Sequence, residues 1–441
     1  MPSNAHGRSI RMTCRGAVRS MRDLLPLTTP SAAEMAATTP SIRRLAPLLA
    51  ALAMFGPFAI DTMFPAFPAI GAQLQTSPVA MQQTLSVYMI AYALMSLLHG
   101  PLSDSLGRRR VILAGVAVFT AASVGCALST SITELLAYRA LQGMSAGAGM
   151  IVGRAIIRDC FDGAAAQRLM SSVSMIFGIA PAIAPIIGGW IIAFAHWSMI
   201  FWFLAGFAGL LGIACLALLP ETHSRERRNA LSLRAMAKTY ALILRDPVFL
   251  PLVFAGTLGF NALFVYISSA PAFVIGLLGL DAQQFAWLFI PAIGGLMLGS
   301  FTSGRLAGRV SGTATIRLGY SIMLGASALN IATALLLARP SVPWSVLPIG
   351  LHAIGIGIAF PTLTLNLLDR FPRHRGGASS MQAFFSLVMS AILAGVVSPL
   401  VSDSSLKLAL SAAAITATGF VAWRLCRVFE RRIPPQVEVQ A

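Results

Sequence analysis

Long apolar runs decide what this chain can fold into. Stretches of roughly 18 to 25 apolar residues, each long enough to cross about 30 Å of hydrocarbon as a helix, recur throughout it. They fall near 45–67, 82–102, 111–129, 134–156, 169–194 and 198–219. After a polar interval they resume near 249–269, 286–307, 316–337, 346–368, 378–401 and 406–425. Composition agrees, with 56% of residues hydrophobic and 11% charged, where a soluble domain carries roughly 25% charged residues. A β-barrel needs segments of about ten residues that alternate in polarity, and no such pattern runs through the sequence. The expected fold class is an all-α integral membrane protein of about twelve transmembrane helices in two six-helix halves.

The formal net charge of +17 would point a soluble protein toward nucleic acid. Here the basic residues lie between apolar runs, so the lipid bilayer accounts for them and no nucleic-acid partner is expected. Alternate loops and the two ends together hold 28 Arg and Lys residues, whereas the opposite loops hold only Arg339 and Lys407. That asymmetry marks the cytoplasmic side. It puts both termini of a multi-pass inner-membrane protein in the cytoplasm and makes the number of spans even. Residues 1–44 read as a disordered cytoplasmic tail, 45–220 as an N-terminal half, 221–248 as a cytoplasmic linker, 249–425 as a C-terminal half and 426–441 as a second tail. The arginines of the first tail, Arg8 to Arg22, also match the composition of an organellar transit peptide, and Met21 or Met35 is an alternative start. Cys14, Cys126, Cys160, Cys215 and Cys426 form no CxxC pair, so neither a disulfide framework nor a metal site is expected.

Three motifs carry mechanism. In GPLSDSLGRRRVIL, Gly100 to Leu113, Gly100 and Gly107 permit a tight turn between helices. Asp104 offers a carboxylate to helix-terminal amides or to guanidinium groups such as those of Arg108 and Arg109. A weaker echo, GSFTSGRLAGR from Gly299 to Arg309, follows the eighth run. In YRALQGMSAGAG, Tyr138 to Gly149, Gln142, Gly143 and Gly147 mark a close-packed polar face around Arg139, against the alternative that Arg139 snorkels to the interface. In GIAPAIAPIIGGW, Gly178 to Trp190, Pro181 and Pro185 each remove a helix hydrogen bond, while Gly188 and Gly189 let another backbone approach.

These motifs resemble those of the major facilitator superfamily, and the third resembles its drug/proton antiporter signature. IDTMFPAFPAI (Ile60 to Ile70), GRAIIRD (Gly153 to Asp159) and the LPET that ends the sixth run are similar to the bicyclomycin/chloramphenicol resistance (Bcr/CflA) branch. The likeness covers nearly the whole chain and is strongest over residues 56–222. Ser105 stands where the family often has a basic residue, and His99 where an aromatic or aliphatic one is common. The resemblance implies proton-coupled efflux, by alternating access, of small amphipathic compounds such as bicyclomycin- or chloramphenicol-like antibiotics. The proton gradient stands in for any cofactor, and the partners are protons, a small-molecule substrate and the bilayer around a monomer. The alternative is an exporter or symporter of a cellular metabolite on the same fold. An enzyme is not expected, since the six histidines are scattered and no HExxH motif occurs; no GxxxxGK[ST] loop points to a nucleotide-driven pump.

Of the 15 acidic residues, only Asp61 sits well inside an apolar run. A carboxylate there costs on the order of 2.5 to 3.5 kcal/mol even on lenient insertion scales, so it is a functional residue by default. Counting from Arg44 puts Asp61 in the outer half of the first span, at the depth of Arg139 in the fourth. Because the first and fourth spans line the cavity of the resembled family, the two are expected to meet, as a proton-coupling pair or as a static lock. Desolvation favours the neutral acid and a close guanidinium the ion. Candidate substrate contacts are Tyr88 and Tyr92 at i, i+4 spacing, Asn261 and Phe264 (with Tyr266) in the seventh span, and Gln382 in the eleventh, with His352 as a further polar group in the tenth.

Overall fold

The computed structural model describes residues 42–161, 163–228 and 231–432; most of both expected tails lies outside the described residues. Among these residues all regular structure is helical. Among the described residues eleven helices are long and apolar enough to cross a bilayer. They are span one (Leu45–Gln73), two (Pro78–Leu106), three (Arg108–Leu128), four (Ile132–Cys160), six (Ser198–Leu218), seven (Phe249–Ser268), eight (Ala286–Leu306), nine (Gly312–Leu336), ten (Leu347–Arg370), eleven (Pro372–Val401) and twelve (Ser405–Arg431). Span five is the helix Gly163–Phe194, with its apolar part at Gly178–Phe194. It continues through both Pro181 and Pro185.

Several spans exceed the apolar runs because caps, not hydropathy, set their ends. Ser77 Oγ accepts from the Ala80 N–H at 3.2 Å ahead of Pro78, and Ser131 Oγ accepts from the Glu134 N–H at 3.3 Å. Each satisfies a donor that a helix start leaves free, and the proline sits where its missing N–H costs nothing. Span one shows the largest departure. It passes the prolines at 65 and 68 by breaking into a helix Phe55–Asp61, a 3-10 turn Phe64–Ala66 and a helix Phe67–Gln73. Pro65 has no N–H to return to the Asp61 carbonyl, and the Thr62 hydroxyl bonds the Phe58 carbonyl. Asp61 therefore closes a helix just past the middle of the span.

The second six spans repeat the packing pattern of the first. Span four lies against spans two and three as span ten lies against eight and nine, and span three meets six as nine meets twelve. Outward faces carry exposed apolar side chains such as Leu210 and Leu336, at 72% and 83% exposure, which suit lipid tails. Two seams join the two groups, span two with span eleven and span five with span eight. On the face opposite the helix ends nearest the termini, Gln83 Nε2 donates to the Gly395 carbonyl at 2.8 Å and Ser86 Oγ to the Ala391 carbonyl at 2.9 Å. Both acceptors lie at or beside a π-helical segment, Leu393–Val397. Its wider turns spoil the usual i to i+4 bonds and leave carbonyls available to a neighbour.

On the other face the linker forms a helix, Leu233–Leu244, started by Ser232. The Tyr240 hydroxyl donates to the Leu97 carbonyl of span two at 2.9 Å, while Thr239, Tyr240 and Ile243 lie against Gly377 of span eleven. Glycines decide where backbones touch within the bundle. A methyl group on Gly188 would collide with the Thr62 carbonyl, beside the break in span one, and one on Gly189 with the Ala282 carbonyl ahead of span eight. A methyl group on Gly178 meets open space. Gly188→Ala should lower the stability of the detergent-solubilised protein by about 1–3 kcal/mol, the usual cost of overpacking. The readout is a drop in Tm, and Gly178→Ala should leave Tm where it was.

Candidate functional site

The first motif makes an ionic cluster at the helix ends nearest the termini. Gly107 adopts φ +102°, a conformation open to glycine, and so separates spans two and three. Gly100, expected in that turn, lies inside the helix Pro78–Leu106 instead. From the turn, the Arg108 N–H donates to Glu221 Oε1 at 2.9 Å and Nε to Asp159 Oδ2 at 3.0 Å. Its Nη1 donates to Ser103 Oγ at 2.6 Å and pairs with Asp104. Arg228 closes on Glu221 at 3.4 Å, and the Thr222 hydroxyl donates to Asp159. Arg109 turns away and bonds the Leu216 carbonyl of span six. Asp159 comes from the GRAIIRD segment and Glu221 from LPET, so segments far apart in sequence converge on one guanidinium.

The matching place in the second half is built differently. Ser303 occupies the place of Asp104 in the echo motif and donates to the Ile358 carbonyl at 3.0 Å. An ion pair between Arg370 and Asp246 at 2.8 Å ties the linker end to span ten. The Arg108 side chain is only 7% exposed, so its removal strands several polar partners. Arg108→Ala should cost about 1–3 kcal/mol, the penalty for leaving buried groups unsatisfied. A chemical or thermal unfolding curve would read it.

Deeper in the same half, span four packs onto spans one and two through glycine. A methyl group on Gly143 would collide with the Tyr88 carbonyl, and one on Gly147 with the Tyr92 ring. Arg139 lies in this contact with 0% exposure, which replaces the snorkelling alternative. Its Nη1 donates to the Ala59 carbonyl of span one at 2.9 Å and to Gln142 Oε1 at 2.7 Å, and its Nε to the Thr84 carbonyl of span two at 3.3 Å. Gln142 Nε2 continues to Ser123 Oγ of span three at 2.7 Å. The guanidinium carbon stands 4.4 Å from the centroid of the Tyr88 ring, a cation–π arrangement.

Asp61 does not pair with Arg139, contrary to the expected meeting. Asp61 is 4% exposed, and no ion pair or hydrogen bond to its side chain occurs among the described residues. The arginine holds span one by the Ala59 carbonyl, two residues short of the acid. The buried Tyr88 hydroxyl and Nη2 of Arg139 also lack partners. Around the break in span one the structure thus gathers a free carboxylate, a free phenol and an incompletely satisfied guanidinium.

The candidate substrate contacts divide. Tyr92 is half-buried, its hydroxyl 4.0 Å from the Met150 sulfur, and Gln382 is half-buried with Nε2 3.3 Å from Thr364 Oγ1. Tyr88, Asn261 and Phe264 are buried. Asn261 serves as a tie: its Oδ1 accepts from Ser390 Oγ of span eleven at 2.8 Å, and its Nδ2 donates to the Thr257 carbonyl. His352 Nε2 donates to the Gly259 carbonyl at 3.2 Å. The seam residues Gln83, Ser86 and Gln82, whose Nε2 donates to Ser398 Oγ of span eleven at 3.2 Å, are not among the residues singled out from the sequence, where their adjacency to the start of an apolar run was the available signal. Gly143 to Gly147 also form a GxSxG pattern. Ser145 lies inside the continuous helix Ile132–Cys160 and donates to the Gln142 carbonyl at 2.9 Å, so it is not on the strand-to-helix turn that a nucleophile elbow needs.

Known proteins are similar to this chain in sequence and in fold. The chain matches the Major Facilitator Superfamily over residues 49–427. It is 30% identical over 367 residues to the bicyclomycin resistance protein homolog of Haemophilus influenzae, covering 81% of this chain and 89% of that protein. The uncharacterized MFS-type transporter YdgK of Bacillus subtilis is 35% identical over 367 residues, covering 81% and 88%. Among solved structures, a D-xylose–proton symporter superposes with a TM-score of 0.69 at 13% identity, covering 89% of this chain and 98% of that one. That likeness bears on the fold alone.

Proposed function

The chain belongs to the Major Facilitator Superfamily, and with a multi-pass membrane transporter as premise we propose that it expels small amphipathic compounds in exchange for protons. The relative named for bicyclomycin resistance supports antibiotic-like cargo. The concentration of Arg and Lys beside the termini supports an inner-membrane orientation with both termini cytoplasmic.

The single observation that carries the coupling is Asp61. A lone carboxylate near mid-membrane, at a break in span one and without a counter-charge, is a group whose ionisation responds to whichever side it faces. In the proposed cycle a proton arriving from the far side neutralises Asp61 and favours the state that releases substrate there. Loss of that proton to the cytoplasm restores the acid and favours reloading. Moving between states parts the polar seam of Gln83 and Ser86 from span eleven. Hydrogen bonds worth about 1 kcal/mol net apiece make such a seam separable.

Reconstitution in liposomes with an imposed pH gradient tests this reading, using bicyclomycin, chloramphenicol and a cationic dye as trial cargo. Proton flux should appear only with compounds that are moved. Asp61→Asn should reduce both fluxes to background while the protein reaches the membrane in normal amount. Undiminished export of an identified cargo by that variant would remove Asp61 from the mechanism.

A further inference from the structure

The GRAIIRD segment contributes Asp159 to the ionic cluster, but its first arginine plays no part there. Arg154 makes no hydrogen bond or ion pair among the described residues, and the acid nearest to it in sequence, Asp159, is already held by Arg108 and Thr222. Its place on span four is set by helical spacing. Gly147 faces the Tyr92 ring, and Met150 meets the Tyr92 hydroxyl at 4.0 Å. Arg154 follows Met150 by four residues, hence on the same face and one turn nearer the termini. Arg154 is nonetheless accessible. An accessible charge among helices, on the face that meets half-buried Tyr92, belongs to an interior cleft and not to a lipid-facing surface.

The interior around it is short of negative charge. Asp61 is the one acid well inside any span. The polar groups that the second half offers inward, among them Gln382, Thr364 and Asn261, are neutral. Once Asp61 takes up its proton, the cleft is left with a net positive charge, and Arg154 is its accessible bearer.

We infer that Arg154 is a specificity-determining residue, which makes the cavity select anionic or neutral compounds that present carboxylate or carbonyl oxygens and turn away organic cations. A guanidinium offers five N–H donors in a planar fork suited to such oxygens. At roughly 10 Å and an effective dielectric of about 20, its charge disfavours a monovalent cation by about tenfold. The inference rests on the export reading for its physiological meaning, since it names the class of cargo.

Equilibrium binding separates the two claims. The full-length protein in nanodiscs is titrated with two xanthene dyes that share a ring system, anionic fluorescein and cationic rhodamine 6G, with no pH gradient. Fluorescein should bind about tenfold or more tightly than rhodamine 6G. Arg154→Gln should abolish that preference, and Arg154→Lys, which keeps the charge, should preserve most of it. Equal binding of the dyes to the unaltered protein, binding of neither, or an unchanged ratio in Arg154→Gln would each overturn the assignment. A protein that sorts the dyes as expected but moves no protons in liposomes would sink the exchange reading and leave this one standing.

Discussion

The structure turns on how Arg139 is held. A guanidinium buried at this depth pays several kcal/mol in desolvation unless its donors are met. Here they are met by neutral groups, the carbonyls of Ala59 and Thr84 and the side chain of Gln142, with the Tyr88 ring beneath. The carbonyls belong to spans one and two and the arginine to span four. One side chain therefore fixes three helices, and it does so without a carboxylate. The consequence falls on Asp61, which sits next to this junction and keeps its ionisation unspoken for.

Close backbone contact makes that junction possible. Gly143 lets the Tyr88 carbonyl approach span four, and Gly188 lets the Thr62 carbonyl approach span five. The break in span one is thus gripped by span five, whose backbone comes nearer to it than any side chain would allow. A change in charge at Asp61 is felt where span one has least internal hydrogen bonding, and span five, which is also a seam helix against span eight, touches that point directly. In the proposed cycle this is a short physical connection between Asp61 and one of the two seams that join the halves.

The two faces of the molecule are secured by different chemistry. At the helix ends beside the termini, Arg108 gathers Asp104, Asp159 and, through its backbone, Glu221. That cluster lies within the first half and braces it as a unit. At the opposite face, the bonds cross between halves and are neutral, from Gln83 and Ser86 to carbonyls beside a π-helical turn. Charged groups brace one half internally, and weak neutral pairs join the two halves, which is the division of labour the proposed cycle needs.

Hydropathy alone established the class of fold, because a chain with this surplus of apolar surface has no other solvent than lipid, and a charge inside a span is costly enough to single out Asp61 by inspection. The turn at Gly107 and the close packing of span four were likewise legible, since few residues other than glycine meet those demands. Which partner each polar group takes was not. Whether Arg139 meets Asp61 or the backbone depends on a displacement of two residues, about 3 Å, between spans one and four, and sequence spacing does not fix the relative height of two helices. Nor does it tell a tyrosine that lines a cleft, such as Tyr92, from one sealed inside, such as Tyr88, because both lie on one face at helical spacing. Only the packed bundle decides where that face closes, for burial is a property of what neighbouring helices cover and not of the residue that is covered.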